Sequence, residues 1–73
     1  MNKNDEQARQ AFGKHIAEVR KQHGITQAEL AARIGWLSQS HIARIEAGRY
    51  STGLDHLMAI AEAMGMKLEF VKQ

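Results

Sequence analysis

Hydrophobic residues recur at helical spacing in four stretches of the chain, and each stretch is followed by a glycine. In the first stretch Phe12, Ile16 and Val19 fall at i, i+4 and i+7, which is one face of an α-helix. Gly24 is expected to end this helix. Asn4 is a candidate cap for its start, after a polar segment that we expect to fray.

A capping signal opens the second stretch. Thr26 followed by Glu29 is the pattern in which each side chain accepts a hydrogen bond from the backbone of the other residue, so a helix is predicted to start at about Gln27. Gly35 is predicted to end this helix. Its inner stripe is expected to contain Leu30, Ala31 and Ile34.

A third, shorter helix is predicted between Ser38, as its N-cap, and Gly48. Ile42 and Ile45 are its only large apolar residues, so most of its surface is polar and open to a ligand. A capped helix, a glycine turn and a second helix with a polar front indicate a helix-turn-helix, whose second helix enters the major groove of DNA.

A fourth helix is predicted after a loop over residues 49–53, with Gly53 as its N-cap and Gly65 at its end. Its expected inner stripe consists of Leu54, Leu57, Ala61 and Met64, with Ile60 beside it.

The last segment changes its period. Met66, Leu68 and Phe70 alternate with Lys67, Glu69 and Val71, and this period of two is typical of a β-strand. A single strand leaves backbone groups unpaired. We therefore expect it to pair with the same strand of a second copy and to form a homodimer.

Composition narrows the class of protein. A chain of 73 residues with 44% hydrophobic residues is expected to form one small globular domain. The absence of cysteine excludes disulfides and thiolate metal sites and fits a reducing, cytoplasmic location. No apolar run has the length of a membrane span, and no signal peptide is visible. No histidine pair suits a metal, and no catalytic constellation stands out, so we expect no cofactor and no enzymatic activity.

The net charge of +2 is a mild basic bias that is compatible with nucleic acid. Residues 54–73 carry more acidic than basic side chains, so this part is the least suited to face phosphates. We divide the chain into residues 1–8, a flexible N-terminus with the start of the first helix; residues 9–65, the DNA-binding domain; and residues 66–73, the dimerisation strand.

Several short motifs stand at characteristic spacing: Arg20 ahead of Gly24, then Thr26-Gln27-x-Glu29-Leu30-Ala31, then Gly35, and then Ile42-x-x-Ile45-Glu46-x-Gly48. With these motifs the chain resembles, from about Phe12 to Met64, the lambda-repressor/Cro-like (XRE-type) helix-turn-helix family. The fourth helix and following strand look like those of HipB- and HigA-type antitoxins. One departure is that Glu46 stands eleven residues after Gly35, where the family has ten, so one residue is inserted at Trp36 or Leu37.

The resemblance implies an all-α, four-helix fold with a short C-terminal β-strand, and it implies roles for single residues. Arg20 and Glu46 would form a partly buried salt bridge. Gln39, Ser40 and Arg44 would read bases, which suits amide, hydroxyl and guanidinium groups. His41 would contact a phosphate or lie against the second helix, and Tyr50 is open to a phosphate contact or to packing. The expected DNA-binding set is Gln27, Ser38, Gln39, Ser40, His41, Arg44, Arg49, Tyr50 and Ser51.

These observations predict a sequence-specific regulator of transcription that binds double-stranded DNA as a homodimer, most simply as a repressor. The alternative is an antitoxin that binds its own operator and also a toxin protein. A protein-interaction module or an RNA-binding use of a related fold is a further alternative, which the polar face with Gln39 and Arg44 disfavours.

Overall fold

A computed structural model describes residues 3–49 and 51–72, with side chains from residue 5 onward. The chain forms four helices in the order α1 (Lys3–Gln22), α2 (Gln27–Ile34), α3 (Gln39–Ala47) and α4 (Leu54–Ala63). Among the described residues there is no β-strand, so the fold is all-α. None of the described helices combines the length and the apolar character that a membrane crossing requires.

The hydrophobic core lies where the four helices meet. Each helix contributes an isoleucine or leucine that is almost fully buried, namely Ile16, Leu30, Ile42 and Ile60. Burying one such side chain stabilises the fold by roughly 1.5–3 kcal/mol relative to exposure. The other members of this core are Ile25, Ala31, Leu37, Ile45 and Met64.

Local hydrogen bonds fix the ends of the two central helices. Thr26 Oγ1 accepts from the Glu29 N–H, and Glu29 Oε1 accepts from the Thr26 N–H, both at 3.0 Å. The hydrogen bond from the Thr26 backbone stabilises the charged carboxylate and thereby lowers the pKa of Glu29. Gly35 and Gly48 end their helices with φ of 87° and 69°, a conformation that a side chain would strain. The predicted caps and ends of α2 and α3 are therefore confirmed.

Helix α1 touches the end of α3 backbone to backbone. A Cβ atom at Gly13 would lie 2.5 Å from the carbonyl oxygens of Ile45 and Glu46. A Cβ atom at Gly48 would lie 2.6 Å from the Cα atom of Gln10. Real Cβ atoms do not come this close to backbone atoms, so the contact depends on glycine at both positions.

The predicted strand over residues 66–71 is not formed in the single chain. A strand is stabilised by a ladder of hydrogen bonds to a neighbour, and no other described segment is a strand. Met66 and Leu68 instead line an apolar groove with Phe12 of α1 and Leu57 of α4. Phe70 lies beyond that groove and is fully exposed.

Two further expectations are wrong at the ends of helices. Helix α1 begins at Lys3, so Asn4 lies inside the helix and is not its cap. Leu54 was expected in the inner stripe of α4 but is 65% exposed, because it is the first residue of the helix and lies beyond the core. Ile60, placed beside that stripe by the sequence, is only 2% exposed and packs at the centre.

Replacing Gly13 by alanine tests the close contact between α1 and α3. Alanine is favoured over glycine inside a helix by about 1 kcal/mol, yet we expect Gly13→Ala to destabilise the protein by about 1–3 kcal/mol because its methyl group would meet two carbonyl oxygens. Urea unfolding measures the change. Ala11→Gly, at an exposed position of α1, reports helix propensity alone. A stabilised Gly13→Ala variant would contradict the described contact.

Candidate nucleic-acid interface

The turn between α2 and α3 accommodates the inserted residue by burying Leu37 and exposing Trp36. Leu37 is 7% exposed and joins the core, whereas Trp36 is 58% exposed. Ser38 then caps α3 by accepting a hydrogen bond from the His41 N–H at 3.1 Å. Of the two residues at the insertion, the structure thus buries Leu37. The turn remains short enough for α3 to start at Gln39.

Three aromatic rings join the turn and the start of α3 to α4. The rings of His41 and His56 stack with centroids 4.9 Å apart and an angle of 22° between their planes. Trp36 meets His56 edge to face at 5.2 Å. The His41 ring therefore lies against His56 of α4, a contact that neither of the two expectations for His41 had named.

The opposite face of α3 presents polar groups to solvent. Gln39, Ser40 and Arg44 are all exposed, and Ser40 and Arg44 stand one helical turn apart. Ile42 and Ile45 point to the core and are 0% and 3% exposed. The exposed face is thus held in a fixed orientation by the burial of the other face.

A hydrogen-bonded ion pair ties α1 to the last turn of α3. Arg20 Nε donates to Glu46 Oε2 at 2.7 Å, and Arg20 Nη2 donates to Glu46 Oε1 at 3.0 Å. The third nitrogen, Nη1, donates to the Ile25 carbonyl oxygen at 2.8 Å. The two side chains are 9% and 7% exposed. The hydrogen bond to Glu46 is the main reason that the pKa of Arg20 is raised.

Gln27 joins the same ion pair from the start of α2. Its Nε2 donates to Glu46 Oε1 at 2.9 Å, so the amide group is held between the first turn of α2 and the last turn of α3. Glu46 is the only carboxylate of α3, and its charge is compensated by these partners. The exposed face of α3 therefore carries the positive charge of Arg44 without a competing negative one.

The loop after α3 extends this polar surface. Arg49 and Ser51 are exposed, whereas Tyr50 lies outside the described residues. At the same end of α3, Arg9 Nε of α1 donates to the Gly48 carbonyl oxygen at 3.4 Å. The structure thus brings the loop and the first half of α1 to one end of α3.

Two features of this site were missed in the sequence. Ile25 was assigned no role, although its side chain is buried and its carbonyl accepts from Arg20. A lone isoleucine between Gly24 and the cap Thr26 was the available signal, since an apolar residue just before an N-cap often packs onto its helix. The link between Arg9 and Gly48 has no signal in the sequence, because it joins residues far apart along the chain.

The arrangement of α2, the turn and α3 is that of a helix-turn-helix, and a family model described as "Helix-turn-helix" matches residues 16–71. This chain belongs to the helix-turn-helix family. The matched residues include the ion pair, both capped helices and the exposed face of α3.

Three relatives of this helix-turn-helix chain are named as regulators. The immunity repressor protein of Bacillus phage phi105 is 37% identical over 59 residues, which is 81% of this chain and 40% of the repressor. An uncharacterized HTH-type transcriptional regulator of Methanothermobacter thermautotrophicus is 50% identical over 68% of this chain and 71% of its own length. A third, the uncharacterized HTH-type transcriptional regulator y4dJ of Sinorhizobium fredii, is 34% identical over 80% of this chain and 74% of its own length.

This chain therefore spans less than half the length of the phage repressor, although it covers most of the other two relatives. No solved structure matches it significantly.

Arg20→Ala tests whether the ion pair serves the fold of this helix-turn-helix rather than DNA. Removing Arg20 leaves a buried carboxylate without its main partner, so we expect a loss of about 3–5 kcal/mol in the free energy of unfolding. The double variant Arg20→Met/Glu46→Leu should recover most of this loss, because it removes both charges. Thermal unfolding is measured beside DNA affinity per folded molecule. An unchanged melting temperature with a collapse of affinity would make Arg20 a DNA contact instead.

Proposed function

We propose that the chain is a sequence-specific DNA-binding regulator of transcription, acting most simply as a repressor. The observation that carries this proposal is the exposed face of α3, where Gln39, Ser40 and Arg44 project from a helix whose other face is buried in the core. A helix of this kind in a helix-turn-helix enters the major groove with its N-terminal residues at the base edges.

The chemistry of this face suits the edges of bases. Glutamine pairs bidentately with adenine, arginine pairs bidentately with guanine, and serine bonds either donors or acceptors. We assign base reading to Gln39, Ser40 and Arg44. His41 supports the helix, because its ring is stacked on His56.

Phosphate contacts would position the protein on the duplex. The first turn of α2 offers backbone N–H groups that favour an anion, and Gln27 lies in that turn. Arg49 and Ser51, with Tyr50 as a further candidate, would contact the backbone next to the end of α3. The Ser38 hydroxyl accepts from the His41 N–H, and its own hydrogen remains free to donate to a phosphate. Binding that relies on such contacts weakens as salt concentration rises.

Selection of bound duplexes from a random pool tests the function as a whole. A regulator that reads bases should enrich one consensus, with unrelated duplexes bound far more weakly. Recovery of sequences without any consensus would contradict base reading and leave only non-specific binding.

Arg44→Ala should relax the preference at one base pair of the selected site. We expect a loss of about 1–3 kcal/mol on that site and little change on an unrelated duplex. Arg33→Ala is the matched control, since Arg33 is an arginine of α2 and not of α3, and it donates to the Ala63 carbonyl oxygen of α4 at 3.2 Å. An unchanged preference in a competition assay would remove Arg44 from the reading set.

The homodimer that we propose for this regulator uses the C-terminal segment, residues 66–73. Phe70 is fully exposed and Val71 is 76% exposed, and they follow Met66 and Leu68, which line the apolar groove. Two copies could pair these segments as antiparallel strands, which would satisfy the backbone groups and cover the apolar side chains. Such a dimer could present two α3 helices roughly 34–36 Å apart, one turn of DNA.

An antitoxin would use the same apolar surface for a toxin protein. No contact of the described residues favours a toxin over a second copy. The simplest partner for an unpaired strand is the same strand of a second copy, so we propose the homodimer.

Phe70→Ser should shift the chain from dimer to monomer without changing the stability of the monomer, because the exposed Phe70 ring is not part of the core. Deletion of residues 66–73 should also give a monomer, but a less stable one that loses the cover of Met66 and Leu68. Analytical ultracentrifugation at tens of micromolar measures the association. A wild-type monomer, or a deletion variant that remains a dimer, would contradict the strand-mediated dimer.

A further inference from the structure

The first half of α1 lies against the end of α3 and brings a second arginine there. Gly48, which ends α3, is so close to the backbone of Gln10 that a Cβ atom would not fit between them. Arg9, the residue before Gln10, donates from Nε to the Gly48 carbonyl oxygen at 3.4 Å. The guanidinium of Arg9 is therefore anchored by one nitrogen at the point where α3 gives way to the loop.

A shallow polar recess opens at this point. It is lined by Arg9 and Arg49, by the neutral residues Gln10, Ala47 and Gly48, and by Glu6 on the preceding turn of α1. Among the described side chains, neither Arg9 nor Arg49 makes an ion pair within 4.0 Å. Two arginines thus line one recess without a carboxylate bonded to either, and Glu6 is the one acidic residue among the described residues that line it.

We propose that this recess holds a phosphate of duplex DNA, gripped by Arg9 from α1 and Arg49 from the loop. The inference rests on the proposed function. If the first residues of α3 point at the base edges, the last residue of α3 and the loop lie beside the sugar–phosphate backbone. Arginine suits this position because its planar fork can bond a phosphate with two nitrogens, and Nε of Arg9 is already occupied by Gly48.

Glu6 opposes phosphate binding in the same recess. A carboxylate near a bound phosphate repels it, and the repulsion is felt over the Debye length of about 10 Å at 0.1 M salt. Arg9 and Glu6 should therefore change affinity in opposite directions. A purely structural role for Arg9, as a cation that compensates the carbonyl end of α3, would not produce this opposition.

The test compares wild type, Arg9→Ala, Glu6→Gln and Arg33→Ala on two duplexes, a site recovered by selection and an unrelated sequence. Arg33 is the matched control, because it also bonds a backbone carbonyl at the end of a helix, through Nη1 to Ala63 at 3.2 Å. Affinity is measured between 50 and 200 mM salt, and melting temperature is measured for each variant.

We expect Arg9→Ala to weaken binding to both duplexes by a similar factor, on the order of fivefold at 0.1 M salt. It should also reduce the slope of log affinity against log salt by about one. Glu6→Gln should strengthen binding to both duplexes by about twofold, because the repulsion between its carboxylate and the phosphate is lost. Arg9→Lys keeps the charge and should recover most of the slope, while Arg33→Ala should leave it unchanged.

An Arg9→Ala variant with wild-type affinity and slope would overturn the proposal, even if its melting temperature fell, because Arg9 would then serve α3 alone. Equal slopes for Arg9→Ala and Arg33→Ala would overturn it too. A wild-type chain that binds neither duplex would overturn the proposed function together with this inference, so the two failures are distinct.

Discussion

The buried ion pair between Arg20 and Glu46 is the interaction on which the arrangement of the first three helices depends. Each nitrogen of the guanidinium has a named acceptor, and Glu46 accepts further from the Gln27 amide. Burying two charges costs several kcal/mol unless their hydrogen-bonding groups are satisfied. Here that condition is met by groups from α1, α2, α3 and the segment before α2, so the hydrogen bonds around the pair join all four.

The hydrogen bonds around the ion pair matter for the position of α3 because the hydrophobic core is small. Helices α2 and α3 have fewer than ten residues each between their caps, and helices of that length are marginal on their own. The start of α3 is fixed by the Ser38 cap, by Leu37 in the core and by the stack of His41 on His56. Its end is fixed by Glu46 and by the contact of Gly48 with α1. The exposed face of α3 is therefore positioned from both ends.

The parts of the fold that sequence could predict are those set by local chemistry. Thr26 with Glu29, Ser38, Gly35 and Gly48 act on residues within one turn of themselves, so the bounds of α2 and α3 followed from the sequence. Leu54 and the choice between Trp36 and Leu37 depended on how helices pack, which spacing along one helix does not determine. The segment after Gly65 has the alternation of a strand, but pairing requires a neighbour that a single chain does not supply. The exposed face of α3 was predictable, and the recess beside Arg9 was not.

The exposed indole at the turn has a practical consequence. The chain contains one tryptophan, so all of its indole fluorescence originates between α2 and α3, in contact with the ring of His56. Contact of the exposed indole with water shifts its emission maximum, so the emission reports how the ring is packed at this turn. The protein thus has an intrinsic optical probe at the corner of its helix-turn-helix, in place without any label.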